Sequence, residues 1–524
     1  MVEEDSMKLK QPIFQAGALL LVSALMTAPV LAQKSKDTLR VGVYQPISIV
    51  DGVFDPHPQT NLMDRMVFDS LLSYDYANRK YVPGLAESWK RIDSTTVEFK
   101  LRQGIKFHDG SEFDADDVVY SFNFVIDPNV KFRFKDTSYG HLEKAEKIDK
   151  FTVRIKTKTP FAAFESRLSY SPPIFPSDYH SKLEAKNFFG RKPIGTGPYK
   201  AIQVDATKGV ILVKNPDYKH GNAGKPAGKI GRIEIVPVPD MQTQVARMMT
   251  GQQDMMYQVP KDIAGFLANN PELTVTTHPS IQFIYFIPDA ADRSGIGVFK
   301  DKRVREALMM AIDRKAIANA LLPKSIADMP LQKSMCHEWH VGCAASLFPP
   351  EFNLAKAKQL LTEAGHPNGF KVALTTWGPS VQAAEAIAGQ LRRIGVDASV
   401  DVQSVGGFVK KRAAGGVQAF VSLWDNGSGQ PDVDSTAGFF FLPGSRNYTG
   451  DKALTKLVFA GKSELDLTKR EATYKMLFDT VTKERYAMPV IPIPAVTVHS
   501  KDLKIPGGVT SKPEGFMFNQ IGWK

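Results

Sequence analysis

The sequence predicts an α/β protein. Strand-like and helix-like patterns alternate from residue 38 onward, no segment repeats, and a β-α-β run stands out at 372–402. Residues 372–376 and 396–402 read as strands with an amphipathic helix, 381–394, between them. A unit of this kind makes a parallel pair with a right-handed crossover. The 524 residues are enough for about three domains. No linker rich in Pro, Gly and Ser separates the parts, so lobes that share chain crossings are expected rather than independent domains.

The other elements follow in order. Residues 38–44 read as a strand, and 61–72 have helical spacing through Leu62, Met66, Val67 and Leu71. The stretch 96–101 alternates as a strand, and 104–107 leads to a turn at Asp109-Gly110. Helix 115–124 carries Asp116 and Asp117 in its first turn, where acids suit the helix dipole. Strands are expected at 151–155, 210–213 and 233–236, and a helix at 240–250 ends at Gly251. The longest helical pattern is 301–322, with an apolar face of Val304, Leu308, Ala311, Ile312 and Ile317. Asn353 caps a helix that stops at Gly365, 466–486 is a late helix, and 490–493 is a strand.

Composition narrows the class. Apolar residues make up 43% and cysteines number two, which excludes a disordered chain or a disulfide scaffold. The N-terminal segment 1–32 has Lys8 and Lys10 before an apolar core near 16–26, then Pro29 and a small-residue site at Val30-Leu31-Ala32. This is a secretory signal pattern, too short for a stable membrane anchor. Glu3, Glu4 and Asp5 are foreign to such a segment, so Met7 is the expected start. No cysteine stands at the cleavage site, so a lipoprotein is not expected. The net charge of +11 becomes +12 once 1–32 is removed. These bases are interleaved with acids along the whole chain, not gathered into the stripe of a nucleic-acid binder.

Catalytic signatures are missing. The sequence has no Gly-x-Ser-x-Gly elbow and no phosphate loop. Gly195-Thr196-Gly197-Pro198-Tyr199 reads as a tight turn feeding a strand, because Pro198 removes a donor that a phosphate nest needs. Cys336 and Cys343, in Cys-His-Glu-Trp-His-Val-Gly-Cys, are expected to form a local disulfide in an oxidising compartment. A zinc site with His337 and His340 is the alternative, although the two histidines lack the i,i+4 spacing of a zincin helix. A large exported α/β chain of this kind fits a binder with a cleft lined by aromatics and a few polar groups.

Several motifs resemble those of the family 5 solute-binding proteins of ABC importers, the peptide and nickel group. They are Tyr81-Val82-Pro83-Gly84-Leu85-Ala86-Glu87-Ser88-Trp89, then 99–110 ending in Phe107-His108-Asp109-Gly110, and Ala115-Asp116-Asp117-Val118-Val119-Tyr120-Ser121. Phe54-Asp55-Pro56-His57, the Gly195–Lys200 turn, Asn215-Pro216-Asp217-Tyr218, Asp301–Arg305 with Ala311–Arg314, and 355–365 extend the likeness to nearly the full chain.

The resemblance implies a periplasmic-binding-protein-like fold (type II, cluster C), with two main lobes, a hinge and an extra domain. The expected division is 1–32 signal peptide, 33–56 lobe I, 57–180 lobe II, 181–274 lobe I, 275–490 lobe III and 491–524 lobe I. Hinge closure would enclose the ligand between lobes I and III.

Residues are carried over one by one. Trp424 matches the Trp of a Trp-x-x-Asp segment whose acid pairs with a peptide's α-ammonium in the peptide-binding members. This sequence has Gly427 in place of that acid, leaving Asp425, or Asp432 with Asp434 beyond it, to take over. Tyr257 and Tyr285 resemble cleft-lining tyrosines. Arg412, twelve positions before Trp424, resembles an arginine of the oligopeptide binders and is a candidate partner for a ligand carboxylate.

The expected function is capture of a peptide or peptide-like solute in the periplasm and its delivery to an inner-membrane ABC permease and its ATPase. The receptor is expected to be monomeric, with no cofactor, no resident metal, no catalysis and no nucleic-acid partner. The alternatives are a non-peptide ligand (haem, glutathione, an opine-like conjugate or a nickel chelate) or an exported hydrolase.

Overall fold

The computed structural model describes residues 37–424, 431–506 and 517–524. The expected signal peptide therefore lies outside the described residues, as do Asp425 and Gly427. Three larger sheets, beside two two-stranded ones, organise the described residues.

The first has seven strands, ordered Leu273–His278, Ala495–Ser500, Met255–Tyr257, Thr38–Val43, Arg232–Pro237, Gly209–Lys214 and Tyr199–Asp205. Its centre is the parallel pairing of Thr38–Val43 with Arg232–Pro237, and its outer pairs are antiparallel. The turn into Tyr199–Asp205 needs glycine at 195 and 197, because a Cβ there would stand 2.1 Å from Val67 O and 2.4 Å from Met66 O.

The second sheet is a four-stranded antiparallel one, ordered Ala86–Arg91, Thr96–Leu101, Thr152–Thr157 and Leu142–Asp149. Helix Ala115–Ile126 belongs with it. The side chain of Asp114 accepts from Asp116 N, and Asp117 closes a capping box. One continuous apolar core, from Leu39 through Phe99 and Phe122 to Ile233, serves both the first and second sheets.

The third sheet is C-terminal, ordered Asp397–Val402, Lys371–Thr376, Ala419–Trp424, Phe283–Pro288 and Met488–Pro492. Lys371–Thr376 runs parallel to both Asp397–Val402 and Ala419–Trp424, and helix Val381–Arg392 makes the predicted crossover. Phe283–Pro288 is antiparallel to its two neighbours. Its residues alternate between cores of its own: Ile284 and Phe286 face one, with Leu308, Leu374 and Ile387. Phe283, Tyr285 and Ile287 face the other.

Two expected helices are corrected. The pattern 301–322 is two helices, Lys302–Ala311 and Arg314–Leu321. The apolar face continues across the break, but Ile312 turns extended and the Asp313 carboxylate accepts from Ala316 N, starting a new helix. The pattern 61–72 is helix Pro58–Val67 followed by strand Leu72–Asp75. The start lies at Pro58, whose missing N–H costs nothing at a helix N-terminus.

Among the described residues no helix is long and apolar enough to cross a membrane, and no group of three or more His, Cys, Asp or Glu could hold a metal ion. Cys336 and Cys343 are bonded, with Cα atoms 5.9 Å apart.

Candidate functional site

The pleat of the third sheet gathers the site. Phe283 pairs with Trp424, and Tyr285 pairs with Ser422, across the antiparallel ladder. Side chains alternate along each strand, so Phe283, Tyr285, Phe420, Ser422 and Trp424 share one face. Two helices cover that face. Val405–Ala413 brings Phe408 and, one turn later, Arg412. Asp434–Phe441 brings Phe439 and Phe440.

An aromatic cluster results. The Trp424 ring lies 4.3 Å from Phe439 and 5.3 Å from Phe440, and its Nε1 donates to Thr436 Oγ1 at 3.0 Å. Tyr285 meets Phe440 edge-on at 5.0 Å. Phe408 packs on Phe420 at 5.8 Å. Trp377, at the C-terminal end of Lys371–Thr376, donates Nε1 to Ser422 Oγ at 3.0 Å and approaches Phe408 at 6.4 Å.

Arg412 is the charged member. Its guanidinium stands 5.6 Å from the Phe408 ring centroid and 5.8 Å from that of Phe439. Tyr448 OH donates to its backbone carbonyl at 3.0 Å. Burial lowers its pKa, opposed by nearby Tyr285 and Tyr448. Its Nε is buried and has no hydrogen-bond partner among the described residues. A half-buried guanidinium with aromatic walls and an unspent donor is suited to an incoming anion.

The predicted residues therefore divide. Trp424, Tyr285 and Arg412 come together. Tyr257 stands on the other large sheet, in Met255–Tyr257, paired with Thr497 and buried in the first core.

Asp432 is already engaged: Arg470 Nη1 donates to its Oδ2 at 2.9 Å and Nη2 to its Oδ1 at 2.6 Å, with both residues buried. Asp434 is buried as well and bonds Lys462 Nζ at 3.2 Å and Tyr474 OH at 3.2 Å. Burial raises the Asp434 pKa, but the Lys462, Arg167 and Arg470 charges outweigh it and leave it lowered. Neither acid is left over for a ligand ammonium.

The disulfide loop braces this stretch: Val341 N donates to Pro431 O at 2.7 Å, and Val433 N to Val341 O at 3.0 Å.

Trp377, Ser422 and Phe439 escaped sequence reasoning. Trp377 carried a usable signal, since it follows a parallel strand where ligands of α/β sheets gather. Phe439 carried none, as one of three consecutive phenylalanines.

The fold as a whole is shared with known proteins. The glutathione-binding protein GsiB of Salmonella paratyphi A is 27% identical over 531 residues, covering 97% of this chain and 98% of the relative. Among solved structures, the substrate-binding protein CtaP of Listeria monocytogenes superposes with a TM-score of 0.80 at 20% identity, covering 93% of this chain and 99% of the other. The periplasmic binding protein DppA of Helicobacter pylori, solved with the peptide STSA, does so with a TM-score of 0.75 at 22% identity, covering 93% and 98%. Residues 80–442 match the family described as bacterial extracellular solute-binding proteins, family 5 middle. With most of its length inside that match, the chain belongs to the family 5 extracellular solute-binding proteins.

Proposed function

We propose that this chain is an exported receptor for a small peptide or peptide-like solute with a free carboxylate, handed to an ABC permease and its ATPase. The observation that carries the ligand class is Arg412, half-buried among Phe408, Phe439 and Tyr285 with a buried donor unspent. A carboxylate there gains charge-assisted hydrogen bonds in a partly dry setting. Trp424 and Tyr285 supply apolar walls, and Tyr257 the opposing lobe's aromatic. Asp425 is assigned to the ligand ammonium, because Arg470 occupies Asp432, and Lys462 and Tyr474 occupy Asp434. Relatives named glutathione-binding proteins are consistent with this choice, since glutathione is a tripeptide with two carboxylates and one ammonium.

In the same reading, residues 1–32 direct export to the periplasm and are removed without a lipid anchor. Lobe I is formed by 33–56, 181–274 and 491–524, lobe II by 57–180 and lobe III by 275–490. The receptor works as a monomer and carries out no chemical step on its ligand.

Thermal-shift and calorimetric titration with glutathione and a dipeptide panel, each as free acid and as C-terminal amide, tests the ligand class. At least one free acid should raise the melting temperature and its amide should not. Equal shifts from acid and amide would refute a carboxylate requirement.

A further inference from the structure

The third sheet has two cores of its own, whereas the first and second share one and the first keeps a small second core around Met256 and Val498. The chain passes between these bodies at two adjacent crossings. One joins Leu273–His278 to Phe283–Pro288, and the other joins Met488–Pro492 to Ala495–Ser500. Hydrogen bonds tie the crossings together, Ile493 N to Gln282 O at 2.9 Å and Ser280 Oγ to Ile493 O at 2.5 Å. Two bodies with separate cores and a paired crossing can rotate about that crossing.

Away from the crossings the bodies meet again through polar groups. Arg167, on the short helix Phe164–Leu168 of the second-sheet body, places Nη2 3.9 Å from Asp434 Oδ2. Lys462 bonds the same oxygen from the C-terminal body, and its backbone carbonyl accepts from Ala162 N at 2.8 Å. Arg79, on the turn after strand Leu72–Asp75, donates Nη2 to Glu338 O at 3.1 Å, inside the disulfide loop.

We propose that Arg167–Asp434 and Arg79–Glu338 O form a latch that holds the receptor closed, so that residues remote from Arg412 help set ligand affinity. Lys462 keeps Asp434 paired when the bodies part, so opening does not strand a buried charge. The Arg167 and Arg79 contacts are made only when the bodies meet, which is the differential contact a closure equilibrium requires. A buried ion pair at 3.9 Å and one charged hydrogen bond together shift such an equilibrium about tenfold.

The latch rests on the receptor reading, but its test needs no ligand. Small-angle scattering of the ligand-free chain is compared with that of Arg79→Met/Arg167→Met, each at 50 mM and 1 M salt. The variant should have the larger radius of gyration at both salt concentrations, since a buried pair is screened little. Circular dichroism checks that the variant is folded, and if it is not, the single variant Arg79→Met, at an exposed position, decides. Profiles that coincide across variants and salts would overturn the latch and leave the ligand assignment standing.

Discussion

Arg470→Met puts the buried ion pair beneath the site to a demanding test. Arg470 spends both Nη atoms on Asp432, at 2.9 and 2.6 Å, and its Nε on Gly461 O at 3.0 Å. Asp432 also accepts from Asp434 N at 2.8 Å, so the two buried carboxylates are neighbours. Methionine fills much of the volume but strands Asp432 away from water. Breaking a buried pair on one side costs about 3–5 kcal/mol. At a urea slope of about 3–5 kcal/mol per M, since the slope rises with chain length, the unfolding midpoint should fall by about 0.6–1.7 M. Removing the stranded charge as well, in Asp432→Asn/Arg470→Met, should recover most of the loss, because an uncharged pair has little desolvation cost left. Urea unfolding followed by circular dichroism and tryptophan fluorescence reads both variants. A single variant that shifts the midpoint by less than about 0.3 M, or a double variant as damaged as the single, would refute the assignment of Asp432 as a structural acid.

Two further outcomes concern stability. Burial, reinforced by the Asp64 charge, raises the Asp51 pKa from 3.8 to about 7. Between those values the native chain keeps a proton that the unfolded chain has lost, so stability falls as pH rises through that window. Asp51→Asn should therefore be more stable than the unmodified chain at pH 8, by up to ~4 kcal/mol, with the gain gone at pH 4. Denaturation at the two pH values reads this, and a gain independent of pH would contradict it. Replacing both cysteines by serine removes a cross-link of sequence separation 7, which should cost about 2–2.5 kcal/mol by loop-closure arithmetic. An unchanged urea midpoint would show that the Val341 contacts hold the loop without the bond.

How far the sequence reached depends on whether a feature is local. The β-α-β unit at 372–402 was legible because its strands and helix carry their own periods and the crossover rule supplies the rest. Asn353 and Gly365 marked a helix correctly, since caps act within a turn: Asn353 accepts from Lys356 N, and Gly365 has a φ of 88°. The break at Ile312 was hidden because the apolar face runs through it and only the direction of the Asp313 side chain reveals a second start. The placing of Tyr285 and Trp424 on one face, both against Phe440, depends on an antiparallel register between strands far apart in the chain, which neither segment encodes alone. Asp432 and Asp434 looked available for the same reason. An acid that pairs with Arg470 or Lys462 cannot be told from a free one until the fold brings its partner.

The central claim is that Arg412 receives the ligand carboxylate. The most direct measurement is calorimetric titration of the unmodified chain and Arg412→Met with the best free-acid solute and its amide. Loss of a partly buried charged hydrogen bond predicts an affinity for the acid about 30–100-fold weaker in the variant, and near-equal affinities of the variant for acid and amide. A variant that still prefers the acid by the original margin would contradict the account.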